Sequence, residues 1–308
     1  MTRAGEGAAR IFVSIASYMD PLLAGTIQHA LTQAAHPSRL RFGVVDQARS
    51  RVHETLLRST SQIAYRRVDP IESQGPGWAR SRAAGLWEAE DFFLQIDAHM
   101  RFAEGWDTAL IGAWTRLAGQ AGHGRVMLSN LPPPFAFDAH GGIRTRPPSV
   151  TTWTTGLDCD EVDALYGTLP VLMARPSTSA RDLRGLFPCN SFVFGPGRMA
   201  DALPPDPGLY FNGDDVALAI RAYTHGWEIW HLRAPPLWHL YRSGRTGERF
   251  NHWDAQFDRA RQTSALDLDT VSRQRLDQLF RSQPLGAYGV GAVRSPADFW
   301  REAGLRSP

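Results

Sequence analysis

A carboxylate and an imidazole stand two residues apart in Asp97-Ala98-His99, at the end of a mostly apolar run. On an extended chain both side chains can turn toward one divalent cation, and oxygen and nitrogen ligands suit Mn²⁺ or a similar ion. A second copy, Asp138-Ala139-His140, lies between proline-rich and Gly-Gly segments typical of surface loops. The first copy is therefore the stronger candidate for metal ligation, and a solvated turn is the alternative for both.

Two later stretches of the chain carry further candidate groups. Gly213-Asp214-Asp215 opens a predicted helix, where the helix dipole favours acidic residues whether or not they are catalytic. His239 can complete a metal site from a distant loop, although His231 competes for that role and a lone histidine is more often structural. Whether these residues belong to one site depends on which of them the fold brings close to Asp97 and His99.

Arg80 and Arg82 form a third candidate group. They lie near the start of a predicted helix, an arrangement that suits phosphate oxygens. Surface salt bridges are the ordinary alternative for such arginines.

The elements that must position these residues follow an alternating order. Apolar runs predict strands over residues 10–17, 40–46, 91–97, 189–194 and 227–232, and helical spacing predicts helices over 21–35, 78–90 and 213–226. Strand, helix and strand in succession predict a parallel α/β sheet, and such sheets bind ligands at the carboxyl ends of their strands. Asp97 and His99 stand at such an end.

The remaining segments differ in composition. Residues 131–149 and 175–184 are rich in Pro, Gly, Ser, Thr and Arg, which predicts long irregular loops over one face of the sheet. Residues 254–282 have helical spacing, with Phe257, Leu266, Leu276 and Leu279 among the apolar positions, and predict a helical C-terminal appendage.

Composition excludes several classes of protein. The 308 residues, 43% of them hydrophobic, can bury a sizeable core, and 33 basic against 31 acidic residues leave a charge of +2, which gives no argument for a nucleic-acid partner. All the basic residues are arginine. Two cysteines without zinc-ligand spacing argue against a secreted disulfide scaffold, and no apolar run is long enough for a signal peptide or a membrane span. We expect a cytoplasmic protein without a membrane partner.

Several strings, taken in order, carry a resemblance. They are Ile11 to Asp20, Arg41-Phe-Gly-Val-Val-Asp-Gln47, Gly75-Pro-Gly-Trp-Ala-Arg80, Phe93 to Phe102 with Gly105-Trp106-Asp107, and Trp238-His-Leu-Tyr241. Over about residues 10–245 the chain resembles a bacterial member of the N-acetylglucosaminyltransferase family typified by the enzyme that modifies hydroxyproline on the ubiquitin-ligase adaptor Skp1 in protists. It is more distantly similar to the polypeptide N-acetylgalactosaminyltransferases.

The resemblance implies a fold and a reaction. The fold is a GT-A nucleotide-sugar-binding domain, an α/β fold with a Rossmann-like, mixed but mainly parallel sheet. We expect this domain over residues 1–250 and a short helical appendage over 251–308. The reaction is metal-dependent O-glycosylation with retention at the anomeric carbon, with Mn²⁺ or Mg²⁺ as the ion, most simply from UDP-GlcNAc to a Ser, Thr or hydroxyproline hydroxyl of a peptide or protein.

The resemblance also implies roles for individual residues. Asp97, His99 and His239 hold the metal, and Asp214 and Asp215 face the sugar or the acceptor as catalytic candidates. The UDP part of the donor is bordered by Ser14, Ala16, Ser17, Tyr18, Asp46, Arg80, Arg82 and Asp97. Retention can proceed through a covalent glycosyl-carboxylate or through front-face attack, and both remain open.

Three positions depart from the family pattern. Family members commonly have Arg at the position of Met19, often Cys at that of Gly77, and Glu-Glu at that of Asp214-Asp215. Because an aspartate carboxylate reaches less far than that of glutamate, the family's sugar selectivity does not carry over directly to this chain.

Two alternative functions also remain. One is a transferase that uses another UDP-sugar, such as UDP-GalNAc or UDP-Glc, on a natural product or a ribosomal peptide. The other is a catalytically silent nucleotide-sugar-binding protein on the same fold, against which the presence of Asp97, His99 and His239 together argues.

Overall fold

The computed structural model describes residues 9–58, 60–147, 150–155, 172–241 and 250–305. The strands are β1 Ile11–Tyr18, β2 Leu40–Gln47, β3 Ile63–Val68, β4 Phe92–Asp97, β5 Met100–Phe102, β6 Val126–Leu128, β7 Phe135–Phe137, β8 Ile143–Thr145, β9 Val150–Thr155, β10 Leu172–Ser177, β11 Leu183–Gly185, β12 Phe192–Pro196, β13 Glu228–His231 and β14 Leu237–His239. The helices are α1 Leu23–Gln33, α2 Val52–Leu57, α3 Pro76–Ala84, α4 Trp106–Ala121, α5 Met199–Ala202, α6 Asp214–Thr224, α7 Ala255–Asp258, α8 Ala265–Phe280 and α9 Pro296–Glu302.

An eight-stranded sheet in the order β11-β13-β6-β12-β4-β1-β2-β3 forms the centre of the fold. Strand β1 runs parallel to both β2 and β4, β3 runs parallel to β2, and β13 runs parallel to β6. Strand β12 is antiparallel to β4 and β6, and β11 is antiparallel to β13. The predicted mixed, mainly parallel α/β sheet is confirmed.

Helices cover both faces of this sheet because its central strands are apolar on both sides. Val13 and Ile96 face α1 and α4, whose Ile27 and Leu110 are buried in the same cluster. Phe12 faces the opposite way, toward α3, α5 and α6. Burial on both faces accounts for the continuous apolar runs that predicted these strands.

The C-terminal helices pack on α6. Leu276 and Leu279 of α8 and Phe299 of α9 are buried against it. The predicted helical segment 254–282 is divided, since α7 ends at Asp258 and α8 begins after Ser264, whose side chain accepts a hydrogen bond from the Asp267 N–H. Leu266 stands in the first turn of α8 and is 74% exposed, so this apolar position does not take part in the packing. The boundary between domains after residue 250 stays a prediction.

Some local predictions were wrong in detail. The segments predicted as irregular contain β7 and β8, which pair as a hairpin, and β10 and β11. Strands β7, β8 and β11 have three residues each, which is too short to show a period, whereas β10 has six. The helix predicted over 78–90 begins earlier, at Pro76, and ends at Ala84 before Gly85, because proline is favoured in a first turn and glycine at a helix end. Within the described residues, no helix is long and apolar enough to span a membrane.

Gly77 is required by a close approach of two backbone segments. A Cβ atom there would lie 2.2 Å from the Leu209 carbonyl oxygen and 2.8 Å from that of Asp206. This contact leaves no room for the cysteine that family members often have, so the departure at Gly77 has a steric reason.

We predict that Gly77→Ala destabilises the protein by about 3 kcal/mol, because overpacking against backbone has no cheap relief. Chemical unfolding measures the change. Gly112→Ala in α4 is the matched control, since its Cβ would meet nothing within 4 Å, and we expect it to stabilise the helix by up to about 1 kcal/mol. Equal effects of the two substitutions would contradict the steric argument.

Candidate metal centre and nucleotide cleft

Two strand pairings bring the predicted metal ligands together. Asp97 ends β4, where it stands beside Ala16 of β1, and His99 follows in the turn to β5. Strand β5 pairs with β14, which places His239 opposite Met100, and the Leu240 N–H donates to the His99 carbonyl at 3.1 Å. Residues separated by 140 positions in the chain thereby become neighbours.

Ring nitrogens and a carboxylate oxygen converge at this point. Nε2 of His99 lies 2.8 Å from Nε2 of His239, and the Asp97 Oδ2 atom lies 3.2 Å from the latter and 4.0 Å from the former. Ligands on one octahedral ion at about 2.1 Å, set at right angles, stand about 3.0 Å apart. Facing imidazole lone pairs repel unless a proton or a cation lies between them. The donor set and its spacing therefore fit a divalent cation such as Mn²⁺.

Asp20 orients the His99 ring. The Nδ1 atom of His99 lies 2.8 Å from Oδ2 of Asp20, and both side chains are buried. An ionised carboxylate only accepts hydrogen bonds, so Nδ1–H donates and Nε2 keeps its lone pair for a metal. Asp20 lies in the turn that follows β1, where the preceding residue, Met19, has a left-handed conformation with φ of 48°. The sequence pattern does not identify Asp20 as a partner of His99; the available signal is an acidic residue just after a strand that ends in the site.

We predict that Asp20→Asn weakens Mn²⁺ binding by about 10- to 100-fold, as losses of such outer partners do. Calorimetric titration with Mn²⁺ measures it without any need for turnover. Asp91→Asn is the control, since Asp91 precedes the opposite end of β4 and accepts from the Arg10 N–H. An Asp20→Asn protein with wild-type metal affinity would contradict the orienting role.

Arg80 bridges two carboxylates. One guanidinium nitrogen donates to Oδ2 of Asp214 at 2.6 Å, and another lies 3.4 Å from Oδ1 of Asp97. Burial acts to raise the pKa of Asp97, but the hydrogen bond from His239 and the Arg80 charge outweigh it, and the pKa falls below its usual range. Asp97 is thus an ionised candidate ligand.

The two adjacent aspartates have different partners. Asp215 accepts a hydrogen bond from the Asn190 N–H at 2.8 Å, and Gln95 in turn donates to the Asn190 carbonyl at 2.9 Å. Burial raises the pKa of both Asp214 and Asp215; the Arg80 charge opposes this at Asp214, and the Asp214 carboxylate adds to it at Asp215. Asp214 is therefore linked through Arg80 to the candidate ligand Asp97, and Asp215 is linked to the turn before β12.

A cleft of about 320 Å³ opens over the three candidate metal ligands. Its walls come from the ends of β1, β2 and β4, the start of α3, and the segment before α7. The lining residues are Ala16, Tyr18, Asp20, Gln47, Gly75, Pro76, Arg80, Asp97, Ala98, His99, Phe211, His239, Phe250, Asn251, His252 and Trp253. Phe211 and Trp253 meet edge to face with ring centroids 4.9 Å apart, and they are 45% and 43% exposed.

The structure brings only some of the predicted nucleotide residues to this cleft. Ala16, Tyr18, Arg80 and Asp97 line it. Ser14, Ser17 and Asp46 are buried and do not.

Two of the residues outside the lining have other partners. Asp46 is 0% exposed and accepts a hydrogen bond from the Tyr65 hydroxyl at 2.7 Å. Arg82 lies over the Trp78 ring, 4.2 Å from its centroid. Asp214 and Asp215 do not line the cleft either.

The competing metal candidates lie elsewhere. His231 is buried and bonds to the Ser129 carbonyl through Nδ1, and burial lowers its pKa to about 4. Asp138 caps its own turn by accepting from the N–H groups of His140 and Gly142. Among the residues that the structure describes, the only group of three or more candidate metal ligands is Asp97, His99 and His239.

Comparisons with known proteins agree with this geometry. The sequence model of a family described as "Glycosyltransferase (GlcNAc)" matches residues 10–56 and 49–307. No curated protein sequence matches the chain. A solved structure that is similar is that of GalNAc-T7 with UDP, GalNAc and Mn²⁺, with 14% identity and a TM-score of 0.55.

The likeness to that structure covers 97% of this chain and 55% of the other, so this chain spans about half the length of its neighbour. At this identity the likeness is one of fold, and it confirms the predicted GT-A architecture.

Proposed function

The chain belongs to the glycosyltransferase (GlcNAc) family, and from that premise we propose that it transfers GlcNAc from UDP-GlcNAc to a hydroxyl group with the help of a divalent cation. The observation that carries the proposal is the convergence of Asp97, His99 and His239 within one cleft. The similar solved structure contains UDP and Mn²⁺, and the donor set here suits the same ion.

The metal ligands have one task in this proposal. A divalent cation held by them supplies Lewis-acid stabilisation of the negative charge that develops on the leaving diphosphate. The Arg80 guanidinium beside Asp97 is among the groups that lower the pKa of this carboxyl, which keeps it ionised as a ligand. Asp20 keeps Nε2 of His99 free to bind by accepting a hydrogen bond from its Nδ1–H.

Arg80 supplies a second positive charge at the floor of the cleft. Asp97 and Asp214 fix its guanidinium from two sides, and it lines the cleft. A fixed cation costs little reorganisation as charge develops nearby. We assign Arg80, Ala16 and Tyr18 to the nucleotide and diphosphate, while Ser14, Ser17, Asp46 and Arg82 can support the site only from outside the lining.

Asp214 and Asp215 are the proposed acidic residues on the sugar side, and we propose retention at the anomeric carbon. Asp214 is the stronger candidate because it shares Arg80 with Asp97. The product anomer, read by NMR, tests retention. Near-normal turnover of both Asp214→Asn and Asp215→Asn would rule out either aspartate as a nucleophile that forms a covalent glycosyl-enzyme.

We propose a peptide or protein hydroxyl as the acceptor and the cytoplasm as the location. Phe211 and Trp253 expose apolar ring surface beside the cleft, against which an acceptor can pack.

Release of UDP from a panel of UDP-GlcNAc, UDP-GalNAc and UDP-Glc, with Mn²⁺ or with EDTA, tests the proposal. We expect release that needs the metal and favours UDP-GlcNAc. Preference for another sugar would overturn the donor assignment alone. If no donor is turned over, calorimetry with UDP and Mn²⁺ decides the matter, because absence of binding would contradict a UDP-sugar site.

A further inference from the structure

Tyr18 lines the cleft at the end of β1, yet residues far along the chain surround its ring. The His252 ring centroid lies 5.3 Å away, and Phe257 meets the tyrosine edge-on at 6.0 Å. A guanidinium nitrogen of Arg261 donates to the Tyr18 hydroxyl at 2.6 Å. The segment 250–261 therefore holds the orientation of a cleft residue.

The Arg261 contact determines the direction of the tyrosine proton. A guanidinium has donors only, so the Tyr18 oxygen must accept in this pair. Its own O–H then remains available to donate, and among the described residues no acceptor lies within hydrogen-bond distance of it. Because Tyr18 lines the cleft, an acceptor bound there can accept a hydrogen bond from this O–H.

The same segment, residues 250–261, is also held in place through His252. His252 is buried; its Nδ1 accepts from the Tyr210 hydroxyl at 2.8 Å and its Nε2–H donates to the Ser73 carbonyl at 3.0 Å. Burial lowers the pKa of His252 to about 4, so the ring is neutral and can both accept and donate. The Ser73 hydroxyl bonds to the side chain of Gln47, another cleft residue.

We propose that residues 250–261 are a positioning element of the nucleotide subsite, which aims the Tyr18 hydroxyl at a hydrogen-bond acceptor of a nucleoside diphosphate. The inference rests on the proposed function, since it requires a nucleotide in this cleft. Arg261 does not contact the nucleotide; it acts through Tyr18. The consequence is that the C-terminal region, outside the strands that build the sheet, contributes to donor binding.

A double-mutant cycle tests this dependence. UDP affinity in the presence of Mn²⁺ is measured by calorimetry for the wild type, Tyr18→Phe, Arg261→Met and the double variant. Each single change is expected to weaken UDP binding by about five- to tenfold, the usual effect of one lost hydrogen bond. The double variant is expected to bind no more weakly than Tyr18→Phe, because Arg261 has no target without the hydroxyl. Arg261→Lys keeps a donor and should restore part of the affinity.

Arg281→Met is the matched control, because Arg281 pairs with Asp277 on the exposed side of α8. It should bind UDP as the wild type does. Additive effects of the two changes, or wild-type affinity in Tyr18→Phe or Arg261→Met, would overturn the inference. If Arg261→Met does not fold, Tyr18→Phe alone decides. If the wild type does not bind UDP, the proposed function and this inference are both overturned. If the wild type binds UDP and the variants bind it equally well, this inference alone is overturned.

Discussion

Replacement of Asp97 and His99 together, by Asp97→Asn and His99→Ala, is expected to lower glycosyl transfer by roughly a thousandfold or more. The physical reason is that a Lewis acid contributes several kcal/mol of charge stabilisation, and each 1.36 kcal/mol is a factor of ten in rate. The substitutions remove two of the three convergent ligand atoms. Initial rates of UDP release with UDP-GlcNAc and Mn²⁺ measure the loss, and Mn²⁺ titration shows that the metal site is its origin.

The chain contains its own control for this experiment. Asp138→Asn with His140→Ala changes the same residue types at the same spacing, in a turn where Asp138 accepts from neighbouring N–H groups and pairs with the exposed Arg144. We expect near wild-type rates from this variant. Equal losses in both double variants, or full activity of the Asp97→Asn, His99→Ala protein, would rule out the assigned metal centre.

The second large effect is expected at Arg80. Arg80→Met removes the cation that the Asp97 and Asp214 carboxylates share. Loss of one partner from such a buried ionic network costs about 3 kcal/mol of stability. We also expect transfer to fall by about a hundredfold or more, since one fixed electrostatic donor at a reacting centre has that effect. Thermal unfolding and steady-state kinetics separate these two losses.

The pH dependence of the Arg80 variant has a definite sign. Burial raises the pKa of Asp214, and the Arg80 charge opposes that rise. Without the guanidinium the pKa of Asp214 increases further, so activity should be lost at a higher pH on acidification than in the wild type.

Arg82→Met separates the role of Arg80 from a general effect on α3. Arg82 lies two residues later in the same helix but is exposed and stacks on the buried Trp78 ring. We expect it to retain stability and rate. A comparable loss in Arg82→Met would mean that a general disturbance of α3, and not the loss of the ion pairs of Arg80 with Asp97 and Asp214, lowers stability and rate.

Part of the site follows from local sequence. The apolar run of β4 predicts a buried strand, and a carboxylate and an imidazole directly after it predict ligands at a strand end, where the structure has them. By contrast, Asp46 also ends an apolar strand, yet it is fully buried under Tyr65 and His53. One-dimensional patterns predict the end of a strand but not which side chains there face a cleft.

Local sequence predicts the alternation of strands and helices, the mainly parallel sheet and the first two candidate metal ligands. These features depend on hydrophobic periodicity and on neighbours within a few residues. Residue types and spacing left both His239 and His231 as candidates, whereas in the fold the pairing of β5 with β14 brings His239 to His99 and His231 bonds to Ser129. The tertiary structure also revealed Asp20 behind His99 and the C-terminal residues around Tyr18. Contacts between residues distant in the chain arise from packing of whole elements, and no local pattern of residues encodes them.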